Sequence, residues 1–195
     1  VAIPVYPIIR PRGGDFVYSE TELRVIEEDI RQAKAAGAKG VVIGILNTDG
    51  TVNIPVTKRL IELAKPMGVT FHRAFDMTAN PFQALEDIIE TGCERILTSG
   101  QQNYAADAIG LLTKLVKVAN GRIEIMAGSG VGIHNAEALI KTGVDTLHLS
   151  AKKSAESPMQ FRNEIVNMAS AINPSEYIRY EADLGTIQEM KKLIK

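Results

Sequence analysis

His72, Arg73 and Asp76 stand within one short stretch, Val69–Met77, VTFHRAFDM. An imidazole takes or gives a proton near neutral pH, a guanidinium is a fixed cation, and a carboxylate pairs with either. Such a trio suits general acid–base work on an anionic small molecule. A plainer alternative is a structural ion pair between Arg73 and Asp76. His72 and Arg73 are adjacent, so a regular strand turns them to opposite faces.

Three more groups carry chemistry of the same kind. Gly128-Ser-Gly130-Val-Gly132 is followed one unit later by Ser150. Glycines let backbone N–H groups approach a phosphate, and the positive end of the following helix adds to the attraction. The bland alternative is a tight turn. In TLHLS, Thr146–Ser150, the two leucines share one face and His148 shares the other with Ser150. If the leucines meet helices, His148 points to the interior beside the anion site, as catalyst, ligand contact or packing residue. Arg10 and Arg12, with Asp15, lie in a Gly-Gly loop after a strand-like run. Two guanidiniums there can clamp an anion or face solvent. Cys93 is the only cysteine and the methionines are scattered. Cys93 reads as a small hydrophobe, and no cluster of soft metal ligands emerges.

The elements that must position these residues alternate. Strand-like runs are Ile3–Arg10, Gly40–Leu46, the stretch from Val69, Arg95–Ser99, Ile123–Ala127 and Thr146–Ser150. The first holds two prolines, awkward in a central strand, but Val5, Ile8 and Ile9 need burial. GVVIGIL is apolar on both faces, as in a covered parallel strand. Helical stripes lie between the runs. Ser19 with Glu22 has capping-box spacing, Asn80-Pro81 opens a helix, and Gly37 and Gly92 end two. Ser157-Pro158 predicts one more helix, and Asp183–Ile194 a last one. Alternation with right-handed crossovers predicts a parallel sheet, open and doubly wound or closed into a barrel. The late glycine-rich turn favours the barrel, whose last two strands hold an anion.

The chain has 195 residues, 23% charged and 45% apolar, with net charge −1. That suits one soluble domain over 1–195. No basic face suggests nucleic acid, and no apolar run approaches a membrane span. A lone cysteine and no signal-peptide pattern predict a reducing, cytoplasmic home.

YPIIRPRGGDFVYS, then VTFHRAFDMTANPFQALEDIIETGCERILTSG, then MAGSGVGIHNAEALIKTG with TLHLSAK resemble, in order and over nearly the whole chain, the copper homeostasis protein CutC family. The resemblance implies an α/β fold, a (β/α)8 TIM-type barrel, forming a cytoplasmic homo-oligomer. It also implies that two βα units of the family pattern would precede Val1. It implies copper handling, with copper(I) bound through cysteines. Where the family's last strand often has a cysteine before the serine, this chain has Leu149. A Pro-Gly-Gly-Gly pattern reads Ala127-Gly-Ser-Gly130, which keeps three closely spaced glycines.

Two functions follow. One is a copper-homeostasis protein binding copper(I). The other is a TIM-barrel lyase, isomerase or hydrolase acting on a small anionic or phosphorylated substrate at the C-terminal rim. Arg10, Arg12, Gly128, Gly130 and Ser150 would hold the anion there, and His72, Arg73, Asp76 and His148 would serve the chemistry. A barrel that acts only through partners is a third option.

Overall fold

The computed structural model describes residues 3–163, 165, 166, 168 and 175–194. Five strands form one parallel sheet: β1 Gly40–Ile43, β2 Gly68–Phe71, β3 Arg95–Thr98, β4 Glu124–Gly128 and β5 Thr146–His148. Each pairs with its sequence neighbour, in the order β1-β2-β3-β4-β5. A doubly wound sheet reverses its strand order partway. This one never reverses, so it is an arc winding in one direction. Among the described residues β1 and β5 do not pair, and the arc does not close into a ring.

Helices α1 Glu20–Ala35, α2 Ile54–Ala64, α3 Pro81–Thr91, α4 Ile109–Ala119 and α5 Ile133–Ile140 alternate with these strands. Their starts follow the sequence. Ser19 and Glu22 form the capping box of α1, and the Asn80 carboxamide accepts from the N–H groups of Phe82 and Gln83. Gly92 takes the left-handed conformation that closes α3, with φ +88°. The helices pack on one sheet face. Val41, Ile43, Val69, Phe71, Ile96 and Ile125 meet the apolar stripes of α1 to α4 in one buried cluster. Val42, Thr70, Leu97, Met126 and His148 turn to the opposite, inner face. Thr70 is buried there, Leu97 and Met126 are partly exposed, and His148 is exposed.

Two expectations are corrected. Residues 3–10 are not a strand but make a single parallel bridge, Ile8 to Val42. Pro4 and Pro7 lack the N–H groups a ladder needs. Only Ile9 is buried; Val5 and Ile8 are exposed. Residues 157–163, where Ser157-Pro158 predicted a helix, are irregular. The Ser157 hydroxyl accepts from the Met159 N–H in a local turn, and its own N–H donates to the Tyr177 carbonyl. It thus continues an antiparallel ribbon that the sequence did not announce, β6 Lys152–Glu156 with β7 Ile178–Ala182. The tail helix is present as α6, Leu184–Leu193, capped by Asp183. No helix among the described residues is long and apolar enough to cross a membrane.

One close approach fixes the inner face beside the candidate site. A Cβ on Gly44 would stand 2.3 Å from His72 Nδ1 and 2.9 Å from Ala74 Cβ. Gly44→Ala is therefore expected to cost about 1–3 kcal/mol through overpacking. Urea unfolding should show it as a lower midpoint at unchanged slope; an unmoved midpoint would mean the ring has room to shift.

Candidate functional site

Behind β2 the chain does not run on extended. It tightens into a 3-10 turn, Arg73–Met77, with His72 as its N-cap. Asp76 on that turn is the centre of the site. Its carboxylate is almost fully buried and accepts from Arg73 Nε at 2.7 Å. It also accepts from the Ser99 and Gln101 backbone N–H groups, each at 3.1 Å, and from the Thr98 hydroxyl. The Ser99 hydroxyl lies 2.9 Å from Oδ2. A buried carboxylate is tolerated only when paired and hydrogen-bonded in this way. Both oxygens are therefore engaged by protein, and the carboxylate fixes Arg73 in place.

Arg73 is held by Asp76 through Nε and, through Nη2, by Ser99 Oγ at 2.8 Å and the Gln102 carbonyl at 3.4 Å. Its Nη1 has no protein partner among the described residues, and the side chain is 43% exposed. A fixed guanidinium thus presents one free edge at the rim. Two cavities open beside it. The larger, of about 730 Å³, is lined by Arg10, Phe16, Leu46, His72, Arg73 and Leu97 among others. The smaller, of about 340 Å³, is lined by Arg73, Leu97, Ser129, Gly130, Val131, His148, Leu149 and Ser150. Arg73 and Leu97 belong to both, and the two cavities are neighbouring parts of one rim.

The glycine-rich loop shapes the smaller cavity. Ser129 and Gly130 take left-handed backbone, with φ +82° and +67°. A Cβ on Gly130 would stand 2.6 Å from Tyr104 Cδ1, and one on Gly128 2.5 Å from Leu97 Cδ1. Asn135 ties the loop to the start of α5, accepting from the Gly132 N–H and donating to the Gly130 carbonyl. The N–H groups of Gly130 and Val131 have no protein partner among the described residues. The fold thus brings Gly130, Ser150, His148 and Arg73 together, while Gly128 serves the close packing beneath them.

His72 differs from expectation. The side chain is 4% exposed, not a proton shuttle open to the rim. Its Nδ1 accepts from the Ala74 N–H at 3.1 Å, which leaves the ring proton on Nε2. That Nε2 is buried without a partner among the described residues. Phe16 covers the ring at 5.0 Å between centroids, and the Arg10 guanidinium lies over Phe16 at 4.6 Å. Burial first, and the Arg10 charge second, push the imidazole down from 6.5 to about 4. His72 is therefore a neutral cap for the turn that carries Arg73 and Asp76. His148 is also corrected: it stays on the inner face but exposed, because it sits on the sheet's edge strand.

Arg10 lines the larger cavity, with Nη2 donating to the Gly14 carbonyl at 2.7 Å. Arg12 does not line it. Its guanidinium is spent inside the loop, on Glu22, on Asp15 and on the carbonyls of Gly13, Asp15 and Val17. Arg73, unlike Arg12, keeps a free guanidinium edge beside both cavities. RILTS, a strand ending in the hydroxyls of Thr98 and Ser99, points in the sequence to a mouth lined by that pair, and both hydroxyls reach Asp76. Gln101, whose N–H also reaches Asp76, has no such signal in the sequence.

Copper(I) prefers thiolate and thioether ligands. Cys93 lies before β3, at the opposite end of the strands from the rim. It is buried, its hydrogen-bond contact is the Thr91 hydroxyl at 3.5 Å, and burial pushes its thiol up to about 12. Among the described residues no group of three or more His, Cys, Asp or Glu side chains gathers as a metal site. The residues present do not fit bound copper.

The CutC family model matches residues 1–153. The family protein CutC of Bacteroides fragilis is 46% identical over 192 residues, covering 98% of this chain and 75% of its own length. That of Enterobacter sp. is 46% identical over 195 residues, covering 100% of this chain and 78% of its own. The solved CutC of Streptococcus agalactiae, named for copper homeostasis, superposes with a TM-score of 0.69 at 35% identity, over 72% of this chain and 70% of that one. Thiamine phosphate pyrophosphorylase from Pyrococcus furiosus, 15% identical, superposes at 0.51 over 98% of this chain and 95% of its own, a likeness of fold alone.

The capping role of His72 has a pH consequence. Its folded value lies below its unfolded one, so between pH 6.5 and about 4 the unfolded chain binds a proton that the folded chain refuses. Stability should fall as pH drops through that window, by up to about 3 kcal/mol from this residue. Replacing His72 with Gln should flatten that part of a stability-against-pH curve. An unchanged slope would assign the acid sensitivity elsewhere.

Proposed function

The chain belongs to the CutC family, whose name is tied to copper homeostasis, and we propose that its own part is to bind a small anionic, phosphate-bearing ligand at the C-terminal rim of the strands. One observation carries this: Arg73, fixed by buried Asp76, keeps a free guanidinium edge where two cavities meet. In this reading the anion sits in the smaller cavity against the Gly130 and Val131 N–H groups, Ser150 and Arg73. A guanidinium fork and backbone N–H groups are the donors that phosphate oxygens favour. The organic part of the ligand extends past Leu97 into the larger, mostly apolar cavity, under Arg10. The sheet then serves as an arc of a TIM-type barrel, in which loops after the strands carry function.

A catalytic step, if this site performs one, rests on His148. It lines the smaller cavity, where this reading places the anion, while His72 lines the larger one with a buried, neutral ring committed to the turn. The lone reduced cysteine suits a cytoplasmic setting. Copper enters this reading only through the family name, since Cys93 is buried away from the rim.

Isothermal titration with inorganic phosphate and glycerol 3-phosphate tests the proposal. Arg73→Lys keeps a cation against Asp76 but loses the fork, and should weaken phosphate binding about tenfold. If the unaltered chain binds neither compound, or the substitution changes nothing, the anion site fails.

A second expectation concerns the thiol. An anaerobic copper(I) competition titration should give the same curve for the unaltered chain and for Cys93→Ser. Loss of stoichiometric binding on substitution would make Cys93 a ligand and overturn this view.

A further inference from the structure

Among the described residues, Arg10 is the cation of the larger cavity that no carboxylate neutralises. The charged and titratable side chains lining that cavity are Arg10, Asp15, His72, Arg73 and Asp76. Asp15 pairs with Arg12 at 2.9 Å and accepts from the Val17 N–H, and Asp76 pairs with Arg73 at 2.7 Å. The buried imidazole of His72 is neutral near pH 7. Arg10 is thus left with its charge unmatched. Its guanidinium rests on the Phe16 ring at 4.6 Å from the centroid, and Nη2 donates to the Gly14 carbonyl at 2.7 Å. It is held in place without being paired.

A second observation comes from His72. The side chain is 4% exposed and lines the same cavity. Its Nδ1 accepts from the Ala74 N–H, so the proton sits on Nε2, and Nε2 is buried with no partner among the described residues. A buried N–H without an acceptor is uncommon and marks a place where an oxygen from outside the protein belongs. Phe16 covers the His72 ring and also carries Arg10. One aromatic side chain therefore separates the cavity from the unmet donor.

The two cavities differ in how much negative charge they suit. The smaller one offers the Arg73 fork together with the N–H groups of Gly130 and Val131, a set matched to a phosphate. The larger offers one unneutralised guanidinium and a neutral N–H between mostly apolar walls, among them Ile8, Phe16, Leu46 and Leu97. That is a match for one unit of charge on a planar group, and a single guanidinium pairs with a carboxylate in just this way. Arg73 and Leu97 line both cavities, so one molecule can occupy the two together.

We propose that the ligand of the rim is a phosphorylated carboxylic acid, with its phosphate in the smaller cavity and its carboxylate on Arg10 in the larger one. The carboxylate draws the guanidinium off Phe16, and the freed ring turns aside to let an oxygen of the acid reach the His72 Nε2–H. This rests on the phosphate reading of the smaller cavity and adds the class of molecule that the site selects.

Isothermal titration of the full chain with matched acids and alcohols tests it. The pairs are 3-phosphoglycerate with glycerol 3-phosphate, and 6-phosphogluconate with sorbitol 6-phosphate. Within each pair the carbon count is equal and a carboxylate replaces one hydroxymethyl group. In at least one pair the acid should bind about tenfold more tightly than its alcohol. Arg10→Gln should erase that preference, and Arg10→Lys should keep part of it. Arg73→Lys should weaken acid and alcohol alike. Alcohols that bind as tightly as their acids at both lengths overturn the proposal and leave the phosphate reading standing. A preference that survives Arg10→Gln also overturns it, because the carboxylate would then be met elsewhere. If no acid and no alcohol binds, the phosphate reading fails and this proposal falls with it.

Discussion

The buried carboxylate of Asp76 is the constraint on which the rim depends. A charge removed from water must be met by donors on nearly every lone pair. Here those donors come from separate segments: Arg73 on the turn after β2, and Thr98, Ser99 and Gln101 at and beyond the end of β3. One side chain thus locks two neighbouring βα loops together. It also explains an otherwise unfavourable backbone. Gln101 is held in left-handed conformation, φ +58°, where a non-glycine residue costs about a kilocalorie or more. Its N–H reaches Asp76 and its side chain reaches the Thr78 carbonyl, which offsets that cost. Arg73 gains its fixed position from the same network.

What the sequence disclosed and what it hid divide along the range of the interactions. Ser19 with Glu22, Asn80-Pro81, Gly37 and Gly92 are read correctly because a cap is satisfied within a few residues of itself. GVVI and VTF form strands as expected because β-branched and aromatic side chains suit the pleat, but the run GVVIGIL continues in the sequence past Ile43, where the strand ends. Residues 3–10 mislead because burial demand was weighed above the missing N–H groups of Pro4 and Pro7, and the chain settles for one bridge. Ser157 misleads because its hydroxyl caps a turn as readily as a helix. The β6–β7 ribbon was illegible: KKSAE and IRYEA carry few apolar residues, and their pairing joins residues as far apart in the chain as Lys152 and Ala182. The site was half legible. The clustering of His72, Arg73 and Asp76 pointed to the right loop. That His72 would be buried depended on Phe16, a remote residue, and no local pattern announces such a cover.

The two ends of the strands have separate chemistries, and that separation bears on the family's name. At the N-terminal end of β3, Cys93 is packed with Thr91 and held as a neutral thiol. At the C-terminal end the available groups are guanidinium, hydroxyl, imidazole and backbone N–H. The guanidinium, hydroxyl and N–H groups donate to oxygen, and a single exposed imidazole without a thiolate or thioether beside it among the described residues makes no soft-metal site. Thiol chemistry and anion chemistry would therefore need different ends of this sheet, and the rim has two cavities that share Arg73.

The contrast between the sheet's two faces explains why the rim can be specific. On the helix face Val41, Ile43, Phe71 and Ile96 are essentially without exposure, and a substitution there disturbs several helices at once. On the inner face the packing is closer to single contacts: Gly44 against His72, Gly128 against Leu97 and Gly130 against Tyr104. Each is a place where only a missing Cβ lets two segments approach. Those contacts set the depth of the cavities, while the helix face sets the strands that carry them. Exposed residues such as Ser150, beyond β5, and His148, at its end, can then change without cost to the core, but Arg73 cannot. It lines both cavities and belongs to the network of Asp76, so altering it disturbs the cavity walls and the junction of two loops together.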